Sequence, residues 1–106
     1  LLKNVRSLKL IAAHLGGSDG YPPHATDRIL ECGCYIDTSV LARRWHYDEQ
    51  MRLLRSWPTD RILFGTDFPW VNYTEAIRWV KSVRAPADWP ALFGDNAARL
   101  LDLRLF

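Results

Sequence analysis

"RILFGTDFPW", Arg61 to Trp70, opens as a strand and then changes character. Arg61 to Gly65 is a short apolar run closing on a glycine, and the residues after it set a lone carboxylate, Asp67, between that turn and Pro69. A short, nearly continuous apolar run of this kind suits a strand buried on both faces, as parallel sheets require.

Two upstream segments follow the same plan. "LKLIAAH", Leu8 to His14, is apolar up to a histidine and is followed by Gly16 and Gly17. "CYIDTS", Cys34 to Ser39, ends in an acid and two hydroxyls.

The intervals between these runs are helix-sized. From Pro22 to Gly33 the chain offers prolines that can open a helix and a glycine that can close it. From Tyr47 to Trp57, acids in the first turn, a Tyr47, Met51, Leu54 stripe and Pro58 beyond the end define the clearest helix. After Asp67, Asn72 and Glu75 stand three apart as in a capping box, with Tyr73, Ile77 and Val80 on one face. Asn96 to Leu103, after Gly94 and Asp95, reads as a closing helix, and the opening residues, Leu1 to Leu8, as the end of another.

Strands separated by helical connections imply right-handed crossovers and a parallel α/β sheet. In such a sheet the C-terminal strand ends share one edge, where ligand sites gather. His14, then Asp37, Thr38 and Ser39, then Thr66 and Asp67 would stand together on that rim. An imidazole, a carboxylate and hydroxyls converging beside glycine turns suit hydrolysis or metal binding.

Blander accounts of the same residues exist. His14 can be a core histidine bonded to backbone, although the two glycines behind it favour close approach of a ligand. Asp67 can serve the turn before Pro69, and Asp37 can bond neighbouring amides, as strand-end aspartates do. His24 and His46 fall in a loop and near a helix start, where solvent-facing roles are expected. The five tryptophans lack interleaved basic residues and read as packing groups.

Composition narrows the class. The 106 residues are 48% hydrophobic and 25% charged, enough for one small core. The net charge of +2 is spread without a basic block, which argues against nucleic acid as a partner. No apolar run reaches membrane-span length and no secretory pattern opens the chain, so a cytoplasmic protein is expected. Cys32 and Cys34, separated by one glycine, are expected as thiols rather than a disulfide or a zinc pair. The sole methionine is Met51, so the chain beginning at Leu1 reads as processed or as a piece of something longer.

Taken in order, "LKLIAAHLGG", "CYIDTS", "DRILFGTDFPW" and "LFGDNAARLL" resemble the C-terminal part of the amidohydrolase-related (amidohydrolase 2) family, metal-dependent hydrolases and decarboxylases built as (β/α)₈ barrels. The resemblance implies that residues 1–106 form a single partial domain: a partial (β/α) barrel of about three parallel βα units, strands six to eight, plus a C-terminal helix. It implies that His14 acts beside a metal-bound water as general base or electrophile. It further implies that Asp67 binds the divalent metal, usually zinc, and takes the water's proton. Thr38 and Ser39 would face the substrate side, with Phe68 and Trp70 walling the pocket around a small-molecule substrate.

The chain departs from the family in carrying no His-x-His pair and no fifth-strand histidine. Catalytic zinc normally keeps three protein ligands, which His14 and Asp67 alone cannot supply. A partial barrel also has raw strand edges and uncovered apolar surface, which invite self-association or pairing with a complementary N-terminal half-barrel. Two functions are therefore expected: the C-terminal part of a hydrolase or decarboxylase, or a non-catalytic remnant serving as an oligomerising interaction module.

Overall fold

In the computed structural model the described residues are 8–16, 31, 33–43 and 48–104. Three short strands, β1 (Ile11–Ala12), β2 (Tyr35–Asp37) and β3 (Ile62–Leu63), form one parallel sheet in the order β1-β2-β3. Ile11 pairs with Tyr35 and Ala12 with Ile36; Ile36 pairs with Ile62 and Asp37 with Leu63. The co-directional sheet expected from the three apolar runs is therefore present. Each strand is shorter than its run, because the chain turns off to build the rim. At β1 the departure is abrupt: His14 (φ 56°, ψ 41°) and Leu15 (φ 58°, ψ 23°) both adopt the left-handed conformation, which is uncommon for residues with a Cβ.

Helix α1 (Asp48–Ser56) forms where periodicity places it. It buries Leu53 and Leu54, with Trp57 just beyond its end and Met51 half-buried. Tyr47, the first residue of the expected stripe, lies outside the described residues, as do the residues 17–30 that hold most of the first expected helix.

Helix α2 (Tyr73–Val83) starts at the expected cap, the Asn72 side chain accepting a hydrogen bond from Glu75 N at 2.9 Å. Its buried positions are Ala76 and Val80, four apart, with Ile77 and Val83 half-buried. Tyr73 was expected on this face but is 62% exposed, its ring stacked near Phe68 at a centroid distance of 6.4 Å.

The closing helix also differs from expectation. A π-helical turn, Ala91–Asp95, runs straight into α3 (Asn96–Leu100), so Gly94 lies within the helical path rather than before it. Pro90 has helical φ and ψ (−58°, −40°) at its start, where the missing N–H costs nothing.

The core gathers Leu15, Ile36, Leu41, Leu53, Leu54, Trp57, Ile62, Val80 and Leu92 between sheet and helices. Each such aliphatic side chain contributes about 1.5–3 kcal/mol of burial free energy, which is what fixes so small a sheet in place.

The two sheet edges are not equivalent. In a parallel strand, alternate residues direct their main-chain groups to opposite sides. Tyr35 N donates to Leu10 O and Thr38 N to Leu63 O, so Ile11 on β1, and Ile62 and Phe64 at β3, turn theirs outward. At β3 the chain closes its own edge. Asn96 Nδ2 donates to Ile62 O at 2.8 Å, and Phe64 N donates to Leu92 O at 3.2 Å. At β1 nothing comparable is seen among the described residues, and Ile11 is 43% exposed. Of the raw strand edges expected, the described residues cover the one at β3 and leave the one at β1 uncovered. No described helix is long and apolar enough to cross a membrane.

Candidate functional site at the strand ends

The rim is assembled by Asp37, the last residue of β2. One carboxylate oxygen, Oδ1, accepts from His14 N at 2.9 Å, from Ser39 N at 3.1 Å and from Ser39 Oγ at 2.5 Å. The amide-bonding account of Asp37 is thus realised, and more: the two N–H groups include the one that opens the left-handed turn carrying the imidazole.

Ser39 completes the arrangement. His14 Nδ1 lies 2.8 Å from Ser39 Oγ and 3.0 Å from Ser39 O. Ser39 spends its hydroxyl proton on Asp37, and a carbonyl oxygen can only accept. Both neighbours therefore require a proton on Nδ1, which assigns the neutral ring to the Nδ1–H form and leaves the Nε2 lone pair as its acceptor. Asp37 and Ser39 thus position His14 from beneath.

Thr38 and Ser39 are buried, at 3% and 8% exposure, and their hydroxyls are engaged within the rim rather than offered to a bound molecule. Thr38 Oγ1 donates to Gly65 O at 3.3 Å and accepts from Gly65 N at 3.2 Å, locking the end of β2 to the loop after β3. Val40 N donates to Thr66 O at 3.2 Å and reinforces the same junction. Gly65 has to be small here. A Cβ on it would stand 3.3 Å from the Ser39 Cβ, closer than ordinary contact allows when Ser39 is tethered on both sides.

Beyond Gly65 the chain lifts Asp67 clear of the sheet. Asp67 is exposed, with φ 61°, a conformation that Asp tolerates better than most residues. Its carbonyl accepts from Trp70 N at 2.9 Å across a turn whose Phe68–Pro69 peptide is cis. Phe68 N is held by Thr66 Oγ1 at 3.1 Å, and Val71, fully buried, anchors the far side. Phe68 and Trp70 stand out at 67% and 70% exposure. Asp67 therefore serves its turn through its main chain while its carboxylate remains exposed.

His14 and Asp67 follow β1 and β3 on the C-terminal edge, with Asp37, Thr38 and Ser39 from the central strand between them. His24 and His46 lie outside the described residues. Among the described residues no group of three or more His, Cys, Asp or Glu side chains gathers to hold a metal. The exposed Asp67 and the half-buried His14 are candidate rim groups, but they do not form a complete site. The hydrogen-bonding of Asp37 through Ser39 to His14 was not read from sequence, although the polar "DTS" (Asp37 to Ser39) after an apolar run was its visible signal.

An amidohydrolase family model matches residues 1–103. Comparison with curated proteins finds no match. Among solved structures, a dihydroxybenzoic acid decarboxylase from Polaromonas sp. JS666, with bound manganese and the inhibitor 2-nitroresorcinol, superposes with a TM-score of 0.66 at 23% identity, over 95% of this chain and 36% of that one. An amidohydrolase from Burkholderia multivorans with bound zinc superposes with a TM-score of 0.61 at 22% identity, over 91% of this chain and 44% of that one. The sheet and helices thus match part of a larger fold, and this chain spans less than half the length of either neighbour.

Proposed function

Because this chain belongs to the amidohydrolase family, we propose that it forms the C-terminal part of a hydrolase or decarboxylase, supplying one acid–base group and one carboxylate to a small-molecule site. The observation that carries this reading is the imidazole of His14, tied down through Nδ1 with Nε2 left as its acceptor, on the rim that also presents Asp67. A neutral imidazole with one bare nitrogen can take a proton from water, and the imidazolium so formed can deliver that proton to a substrate carbon. Hydrolysis uses the first transfer and protonation after loss of carbon dioxide uses the second. Phe68 and Trp70 would wall the site on the Asp67 side, and Thr38 and Ser39 would act as supports.

The two solved neighbours carry manganese and zinc. The described residues do not by themselves fit such an ion, because a catalytic centre normally draws three protein ligands and no such cluster is present among them. If a divalent metal belongs to the working protein, Asp67 is the carboxylate offered to it from this chain, and the remaining donors come from elsewhere.

The completing part would join along β1. No described residue covers that edge, and Ile11 on it is exposed, whereas β3 is covered by Leu92 and Asn96. The short span relative to the neighbours favours a complementary half-barrel over a second copy as the occupant. The self-covered β3 edge also supports the second reading, a non-catalytic module that needs a partner on one side only.

Turnover separates the readings. Carbon dioxide release from dihydroxybenzoates and hydrolysis of lactones are measured with the chain joined to polypeptide supplying the remaining strands. His14→Ala and Asp67→Asn should each lower the rate by about a hundredfold or more if both groups take part. Undiminished turnover in both variants, or no turnover together with tight association, leaves the interaction module.

A further inference from the structure

We infer that Asp37 and Ser39 act as a relay that sets the tautomer of His14, the carboxylate orienting the serine hydroxyl so that its lone pair can receive only an Nδ1–H. The geometry demands it in one direction. Asp37 Oδ1 cannot donate when ionised, so the hydrogen in the 2.5 Å contact comes from Ser39 Oγ. The hydroxyl then has only an acceptor left for the imidazole at 2.8 Å, and the Ser39 carbonyl at 3.0 Å makes the same demand. The relay is short, and Ser39 is buried, so water competes poorly for its hydroxyl.

Asp37 has a second effect through the backbone. By accepting from His14 N it helps hold a left-handed turn, uncommon for residues other than glycine, that continues through Leu15, and this turn brings Nδ1 to Ser39. The serine and the aspartate are thus positioning residues, acting through the ring. Isolated imidazoles keep both neutral forms; a site that needs a bare Nε2 gains by suppressing the other form in advance. This inference rests on the proposed acid–base role only for its purpose. The tautomer itself exists whether or not the protein turns anything over.

The test is the ring ¹⁵N spectrum of His14 in the full chain at alkaline pH, where tautomer populations are read directly. The native protein should show the Nδ1–H form dominant. Ser39→Ala keeps the carbonyl acceptor but loses the hydroxyl, and should raise the Nε2–H share roughly fivefold, the shift that one typical net hydrogen bond carries. Asp37→Asn retains an acceptor oxygen for the same three donors and should remain close to native. A dominant Nε2–H form in the native protein overturns the inference without any variant having to fold. An unchanged population in Ser39→Ala overturns it as well. A Nδ1–H signature in a protein devoid of turnover would sustain the relay while removing the catalytic reading.

Discussion

Thr38 and Gly65 are hydrogen-bonded to each other twice, the threonine hydroxyl donating to Gly65 O at 3.3 Å and accepting from Gly65 N at 3.2 Å. One hydroxyl thereby does for the strand ends what a further rung of ladder would do, and it does so between the segment carrying Ser39 and the segment leading to Asp67. The rim is held from within by groups that never reach its surface.

Thr38→Val should therefore cost about 2 kcal/mol, since the glycine amide and carbonyl lose their partner while the shape of the side chain is kept. Thr38→Ser retains the hydroxyl and should lose less. Urea unfolding of the three proteins checks the order. Gly65→Ala should also destabilise, by about 1 kcal/mol, because the new methyl meets Ser39 at 3.3 Å and Ser39 is not free to give way.

Asn96 is 1% exposed and its Nδ2 donates to both Thr59 O and Ile62 O, at 2.7 and 2.8 Å. Asn96→Leu should cost about 2–3 kcal/mol by leaving two carbonyls unpaired. Asn96→Asp should be worse, because it turns a carboxylate toward those carbonyls in place of a donor. Uncovering Ile62 O also reopens the β3 edge, so light scattering during refolding should rise for both variants.

Arg84 is buried, and its Nη1 donates to the carbonyls of Leu54, Arg55 and Trp57 at 2.8 to 3.1 Å, at and just beyond the end of α1. Nη2 reaches Thr59 Oγ1 and the Asp88 carboxylate. Arg84→Met removes every one of these donors and should cost about 3 kcal/mol, in the range for breaking a buried charged network. Arg84→Lys should recover only part of it, since an ammonium cannot span the same fork of acceptors. Thermal denaturation gives the ranking.

Ile11 turns its main-chain groups out from an edge that no described residue covers, and it is exposed, so Ile11→Lys should leave the fold intact and weaken association with any added strand, a charge on an edge strand being an effective deterrent. Sedimentation velocity at increasing concentration, with and without added polypeptide supplying the remaining strands, measures it. Equal association of native and variant proteins would move the interface away from β1.

Among the described residues, the sequence by itself determined that the three apolar runs become strands, that α1 and α2 form, and in what sense the strands run. Apolar runs such as Arg61 to Gly65, helix-length spacers between them, and the Asn72 cap are local signals, and the physics they report is local: burial period, chain entropy and end-group capping. It also determined the rim as a list, because a parallel sheet sends every strand's end to one side. Tertiary structure alone decided what those residues do for one another. That Asp37 reaches across 23 positions to His14 N, that Thr38 and Ser39 turn inward, and that Asn96 seals the β3 edge depend on distances between chain segments that composition and spacing do not encode. A hydrogen bond is decided within tenths of an ångström, and only packing of the whole core sets positions to that precision.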